Sequence, residues 1–127
     1  MARILLIDDD DAVRRVMRSV LERKGHEVLE ANNGKAGVQL LAEHAVDLVI
    51  TDIFMPEQDG VETVRQMRIA FPQVKVIVAS GGDSTGRLSL LTGAELFGAT
   101  ASLSKPLRPA DLLAAVQAAL ESAEPSS

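Results

Sequence analysis

Short apolar runs that read as β-strands alternate along this chain with stretches whose apolar residues recur at helical spacing, and this alternation restricts the fold more than any other feature. It is the pattern of a parallel sheet covered by helices on both faces. The first strand reads Ile4-Leu5-Leu6-Ile7. After it, Val13, Val16, Met17, Val20 and Leu21 recur at i, i+3, i+4, i+7 and i+8, the buried stripe of a helix that Gly25 stops as a C-cap glycine would. Residues 26–31 alternate like an exposed edge strand. Asn33-Gly34 marks a turn, and residues 36–44 form a short helix with Leu40 and Leu41 inward.

The third strand is Asp47-Leu48-Val49-Ile50-Thr51, whose apolar centre predicts a middle position. A loop with Pro56 and Gly60 leads to a helix over 61–71, ended by Pro72. Residues 74–79 are rich in β-branched side chains and form the fourth strand. A loop over 81–86 and a helix over 88–97 follow, the latter interrupted by Gly93. Residues 101–104 are a fifth strand. The last helix starts at Pro109 and buries Leu112, Leu113, Val116 and Leu120. The pattern predicts one domain over residues 1–122, with 123–127 a frayed tail. The Met1 start and that tail predict a complete, stand-alone domain.

Composition closes off several function classes. The 127 residues are 46% hydrophobic, enough to bury a core without staples, and they include no cysteine, hence no disulfide, thiolate zinc site or cysteine nucleophile. A net charge of −5 and only three aromatic residues argue against a nucleic-acid footprint. No apolar stretch reaches the length of a membrane span. A soluble, cytoplasmic protein is expected. His26 and His44 lie far apart, read as surface residues, and offer no zinc pattern.

In an open parallel α/β sheet, ligands sit beyond the carboxyl ends of the strands. Strand one ends in Asp8-Asp9, strand three runs into Asp52, strand four ends at Ser80 and strand five at Lys105. Three carboxylates at one edge repel one another unless a cation intervenes. With oxygen ligands only, the cation would be hard, Mg²⁺ before Ca²⁺. A hydroxyl and an ammonium are what phosphoryl oxygens require on their other side. This inventory fits phosphoryl transfer with a carboxylate nucleophile.

The fragments Ile4-Leu5-Leu6-Ile7-Asp8-Asp9-Asp10, Asp47-Leu48-Val49-Ile50-Thr51-Asp52-Ile53-Phe54-Met55-Pro56 with Asp59-Gly60, Ser80, and Lys105-Pro106 resemble, in order, a bacterial response-regulator receiver domain. The resemblance implies a flavodoxin-like (βα)5 doubly wound sheet of strand order 2-1-3-4-5. It implies that Asp52 accepts a phosphoryl group from a sensor histidine kinase or a histidine phosphotransfer protein. Asp8, Asp9, Asp52 and the Phe54 backbone carbonyl would surround Mg²⁺, with Asp8 acting partly through water. Ser80 would be the switch hydroxyl and Lys105 the phosphoryl-pairing lysine. A downstream target would dock on the face of helix 88–97, strand 101–104 and the last helix. Such a protein is a signalling switch, an enzyme only toward its own phosphorylation and slow autodephosphorylation.

Ser102 occupies the position where the family often carries a switch aromatic, so the output change is expected in residues 81–97 instead. Two other functions stay open. One is an aspartate-nucleophile phosphatase, since Asp8 and Asp10 form a D-x-D; the other is a receiver-shaped binding module that is never phosphorylated. Elsewhere in the acidic run, Asp11 is expected to cap the first helix and Asp10 to be a solvated loop residue. Gly60 is expected to supply a positive φ in a turn.

Overall fold

The computed structural model describes residues 2–52, 54–55, 58–80, 101–104 and 108–121. In chain order the elements are β1 (Arg3–Ile7), α1 (Asp11–Arg23), β2 (Glu27–Ala31), α2 (Gly34–Glu43) and β3 (Leu48–Asp52). The two-residue strands β4 (Phe54–Met55) and β5 (Gln58–Asp59) follow, then α3 (Gly60–Ala70), β6 (Lys75–Ser80), β7 (Ala101–Ser104) and α4 (Pro109–Glu121). Five of the strands form one parallel sheet in the order β2-β1-β3-β6-β7. Leaving aside the small antiparallel β4–β5 hairpin, this is the expected 2-1-3-4-5.

The two-residue period of a strand sends alternate side chains to opposite faces, and here both faces are apolar. Leu5, Ile7, Val49, Val76 and Val78 pack with Leu41 of α2 and with Val64 and Met67 of α3. Ile4, Leu6, Leu48, Ile50 and Ile77 pack on the other side with Met17, Val20 and Leu21 of α1 and with Leu112 and Val116 of α4. Each side chain as fully buried as Ile4, Leu6 or Ile50 gains about 1.5–3 kcal/mol by leaving water. All five residues of β3 are buried, as its central place requires.

Several boundaries and directions differ from the sequence expectation. Val16 is 59% exposed rather than part of the α1 stripe. At 100° per residue it lies roughly 90° from the centre set by Met17, Val20 and Leu21. The Asn33-Gly34 turn is the start of α2: the Asn33 side chain accepts the Ala36 N–H at 2.8 Å, and Gly34 is already helical. Gly60 begins α3, so its backbone is right-handed helical and not a positive-φ turn. The loop after Asp52 contains the β4–β5 hairpin. Among the described residues, the positive φ falls at Gly25 (+87°), just past the Lys24 C-cap of α1. His26 is half-buried, and its Nδ1 accepts the Ala2 N–H at 3.2 Å. The expected loop 81–86, helix 88–97 and tail 123–127 lie outside the described residues. Among the described residues, no helix is long and apolar enough to cross a membrane.

α2 lies close against the end of β1. A Cβ built on Gly37 would stand 2.2 Å from Cδ1 and 2.8 Å from Cγ1 of Ile7. Ile7 is the residue before Asp8, so this close approach supports the strand end from which the site is built.

Candidate functional site

Strand register brings the first two acidic residues together. Ile7 of β1 pairs with Thr51 of β3, so one step further along two parallel neighbours stand Asp8 and Asp52. Asp9 follows on the same edge. One carboxylate oxygen from each of Asp8, Asp9 and Asp52 lies within 4.8 Å of the others. Asp8 is 1% exposed and Asp52 7%, whereas Asp9 is exposed, so two sheltered carboxylates are joined by one at the rim.

Asp8 is fixed on several sides. Its N–H donates to the Ala31 carbonyl at 3.1 Å, continuing the β1–β2 ladder by one rung. Its Oδ1 accepts the Asp10 N–H at 2.9 Å. Its carbonyl oxygen accepts a short hydrogen bond from Arg14 Nη1. Beside Asp52, the buried Thr51 hydroxyl donates to the Asp52 carbonyl at 3.1 Å.

The rest of the acidic run divides its work differently from the sequence expectation. The N-cap of α1 is Asp10, not Asp11: its Oδ1 accepts the N–H groups of Ala12 at 2.9 Å and Val13 at 3.2 Å. A cap residue keeps extended backbone while its side chain bonds the orphan amides of the first turn, and Asp10 has φ −92° and ψ 108°. Asp11 is the first helical residue, favourable beside the positive end of the helix dipole, and pairs with Arg14. A D-x-D reading of Asp8 and Asp10 would need the Asp10 carboxylate in the cluster. It is bonded to the helix start instead.

The other expected site residues fall as follows. Ser80 ends β6, one residue past Ala79, which pairs with Asp52 of β3, and it pairs in register with Ser104, the last residue of β7. Phe54 opens β4 two residues beyond Asp52. Ser102 pairs with Val78 within β7. Lys105 lies outside the described residues.

Sequence reasoning passed over a set of charges behind the acidic edge. Glu30 of β2 receives Arg14 Nε at 3.0 Å and Arg18 Nη1 at 2.6 Å, and Arg18 Nε also reaches Glu22 at 3.0 Å. The Arg18 bond, opposed by burial and joined by the Arg14 bond, holds the Glu30 carboxyl below its ordinary pKa. Burial would lower the Arg14 pKa, but its bonds to Glu30 and Asp11 outweigh that and raise it. The available signal was the spacing of Arg14 and Arg18, one helical turn apart on α1.

The donor set of the cluster is oxygen only and carries three potential negative charges. That combination fits a hard divalent cation and no soft metal.

Residues 4–117 match the family described as response regulator receiver domain. The chain is 36% identical to the transcriptional regulatory protein CpxR homolog of Haemophilus influenzae, over 100% of this chain and 54% of that protein. It is 34% identical to the response regulator MprA of Mycobacterium leprae, over 97% of this chain and 53% of that protein. It therefore spans about half the length of the curated relatives it matches. A receiver-domain crystal structure from Clostridium thermocellum superposes with a TM-score of 0.86 at 33% identity, covering 94% of each chain. A CheY-like receiver domain from Methanospirillum hungatei gives 0.86 at 29% identity, covering 95% of this chain and 94% of that one.

Proposed function

The chain belongs to the response regulator receiver domain family of two-component signalling, and from that premise we propose that Asp52 accepts a phosphoryl group and thereby switches a partner-binding surface. The observation that carries this reading is the convergence of Asp8, Asp9 and Asp52 on one edge of the sheet. Asp8, Asp9, Asp52 and the Phe54 carbonyl would hold Mg²⁺, which when bound offsets negative charge on the carboxylates and on the incoming phosphoryl oxygens.

The nucleophile is a carboxylate oxygen of Asp52. A bond forms from it to phosphorus as the bond from phosphorus to a donor phosphohistidine nitrogen breaks, and the acyl phosphate remains on the protein. Asp8 orders the edge through its bonds to Ala31 and Asp10. Ser80 and Lys105 would contact the phosphoryl oxygens from the ends of β6 and β7. Because the group stays on Asp52 until water removes it, the domain modifies itself and does not turn over a free substrate. The dianionic charge then biases a two-state equilibrium of the domain.

The donor is a sensor histidine kinase or a histidine phosphotransfer protein, and the setting is cytoplasmic. The target surface is built from residues 88–97, β7 and α4. Residues 1–122 make up the receiver unit and 123–127 a tail. With a net charge of −5 we give nucleic acid no part in the work of these 127 residues.

Incubation with acetyl phosphate and Mg²⁺, followed by intact-mass measurement, tests the proposal. One phosphoryl group should be gained by the wild type and none by Asp52→Asn. No gain in the wild type, or an equal gain in the variant, rejects it.

A further inference from the structure

Arg14 is exceptional among the cations of α1 because its guanidinium bonds the acidic edge and the neighbouring strand at once. Its side chain is only 12% exposed. Nη1 bonds the Asp8 carbonyl oxygen, Nη2 the Asp11 carboxylate, and Nε the Glu30 carboxylate of β2. A planar fork with donors in fixed directions can satisfy three acceptors in this way, and a lysine ammonium cannot reproduce that geometry. Arg18 grips the second oxygen of Glu30 at 2.6 Å, so Glu30 is held from both sides and in turn orients Arg14.

The contacts at Asp8 give this chain of bonds a functional direction. The backbone of Asp8 is held at its N–H by Ala31 and at its carbonyl by Arg14, and its Oδ1 by the Asp10 N–H. With the main chain pinned on both sides of its Cα, the direction of the Asp8 side chain is set from outside the cluster. Arg14 and Asp11 then hold the turn from Asp8 into α1, the turn that carries Asp9.

We propose that Arg14 is a positioning residue that presents the Asp8 and Asp9 carboxylates to a divalent cation, and that Glu30, itself clamped by Arg18, sets the orientation of Arg14. This inference rests on the reading of the cluster as a cation site. Arg14 touches neither the cation nor the phosphoryl group; it acts through the backbone of Asp8 and the turn that follows.

Electrostatics and positioning predict opposite signs, which makes the inference testable. Removing a positive charge beside an anionic site should tighten cation binding by Coulomb attraction alone. Removing a positioning group should weaken it, and the loss of a partner that orients metal ligands lowers affinity on the order of tenfold.

The full chain should be titrated calorimetrically with Mg²⁺ alone at neutral pH as wild type, Arg14→Met, Arg14→Lys, Glu30→Gln and Asp9→Asn, with melting temperatures measured in EDTA. We expect Arg14→Met to weaken Mg²⁺ binding roughly tenfold, Glu30→Gln about threefold, and Arg14→Lys to fall between wild type and Arg14→Met. Unchanged or tighter binding in Arg14→Met overturns the inference, as does a lowered melting temperature with unaltered affinity. If Arg14→Met does not fold, Arg14→Lys decides, because it keeps the charge and loses only the fork, and wild-type affinity in that variant is the refuting result. Asp9→Asn separates this inference from the reading beneath it. If that variant binds Mg²⁺ like the wild type, the cation site itself is wrong; if it binds weakly while the Arg14 variants bind normally, only the positioning role is lost.

Discussion

Replacing Asp8 by Asn keeps the shape of the side chain and an Oδ1 able to accept the Asp10 N–H, but removes one of three converging charges. Two unit charges about 5 Å apart repel by about 3 kcal/mol at an effective dielectric of 20. Asp9 is exposed and screened by water, so its share in the relief is about 1 kcal/mol; Asp52 is sheltered but has further interactions of its own that offset part of its charge, which leaves its share at about 2 kcal/mol. In EDTA the variant should therefore be more stable than the wild type by about 3 kcal/mol, about 10 °C in melting temperature for a domain of this size. Magnesium should act in the opposite sense on the pair. At ten times its dissociation constant it should stabilise the wild type by about 1.4 kcal/mol and leave Asp8→Asn nearly unmoved. Differential scanning calorimetry with EDTA and with Mg²⁺ measures both effects. A variant that melts lower than wild type in EDTA, or that keeps the full magnesium shift, refutes the argument that these carboxylates strain one another and are relieved by a cation.

Asp10→Ala should lose about 1 kcal/mol, about 4 °C in melting temperature, because the two amides it caps are left to water, while phosphorylation of Asp52 persists. Gly37→Ala gains up to about 1 kcal/mol of helix propensity but drives a methyl into Ile7, so a net loss of about 1–2 kcal/mol by urea denaturation is expected. Burial holds the His26 pKa below its ordinary value, and Nδ1 accepts a backbone N–H only in the neutral ring. The stability it contributes is thus present above the unfolded pKa of about 6.5 and lost as pH falls through that value towards the lower folded one. His26→Gln should flatten the melting temperature between pH 7 and 5.5, and an unchanged slope counts against that assignment.

The sheet was legible in the sequence because burial on both faces writes continuous apolar runs. The strand edges named from those runs, Ile7, Asp52 and Ser80, are within a residue of where β1, β3 and β6 end. The acidic edge was legible for the same reason, since a strand that ends on time delivers the next residue to the rim. Helix starts were harder to read. Asn33 followed by Gly34 carries the letters of a turn and of a cap equally, and only the Ala36 N–H on its side chain separates them. Asp10 and Asp11 are chemically identical, so the choice of cap depends on backbone phase, which composition does not record. Val16 satisfied the spacing rule yet sits at the margin of its stripe, because spacing sets an angle on the helix and not where the sheet lies. Glu30 lies on β2 whereas Arg14 and Arg18 lie on α1, and their meeting depends on how α1 crosses β2.

Four consecutive aspartates here hold four different posts: sheltered edge, open rim, helix start and arginine partner. Their letters give no guidance when such a segment is matched against another protein. Sliding the match by one residue still sets aspartate on aspartate at three of the four positions and yet exchanges a cation ligand for a cap. What breaks the degeneracy is counting outward from the sheet, from the rung where the Asp8 N–H meets the Ala31 carbonyl. Insertions and deletions in this run are therefore changes of role, even when the number of charges they leave behind looks harmless.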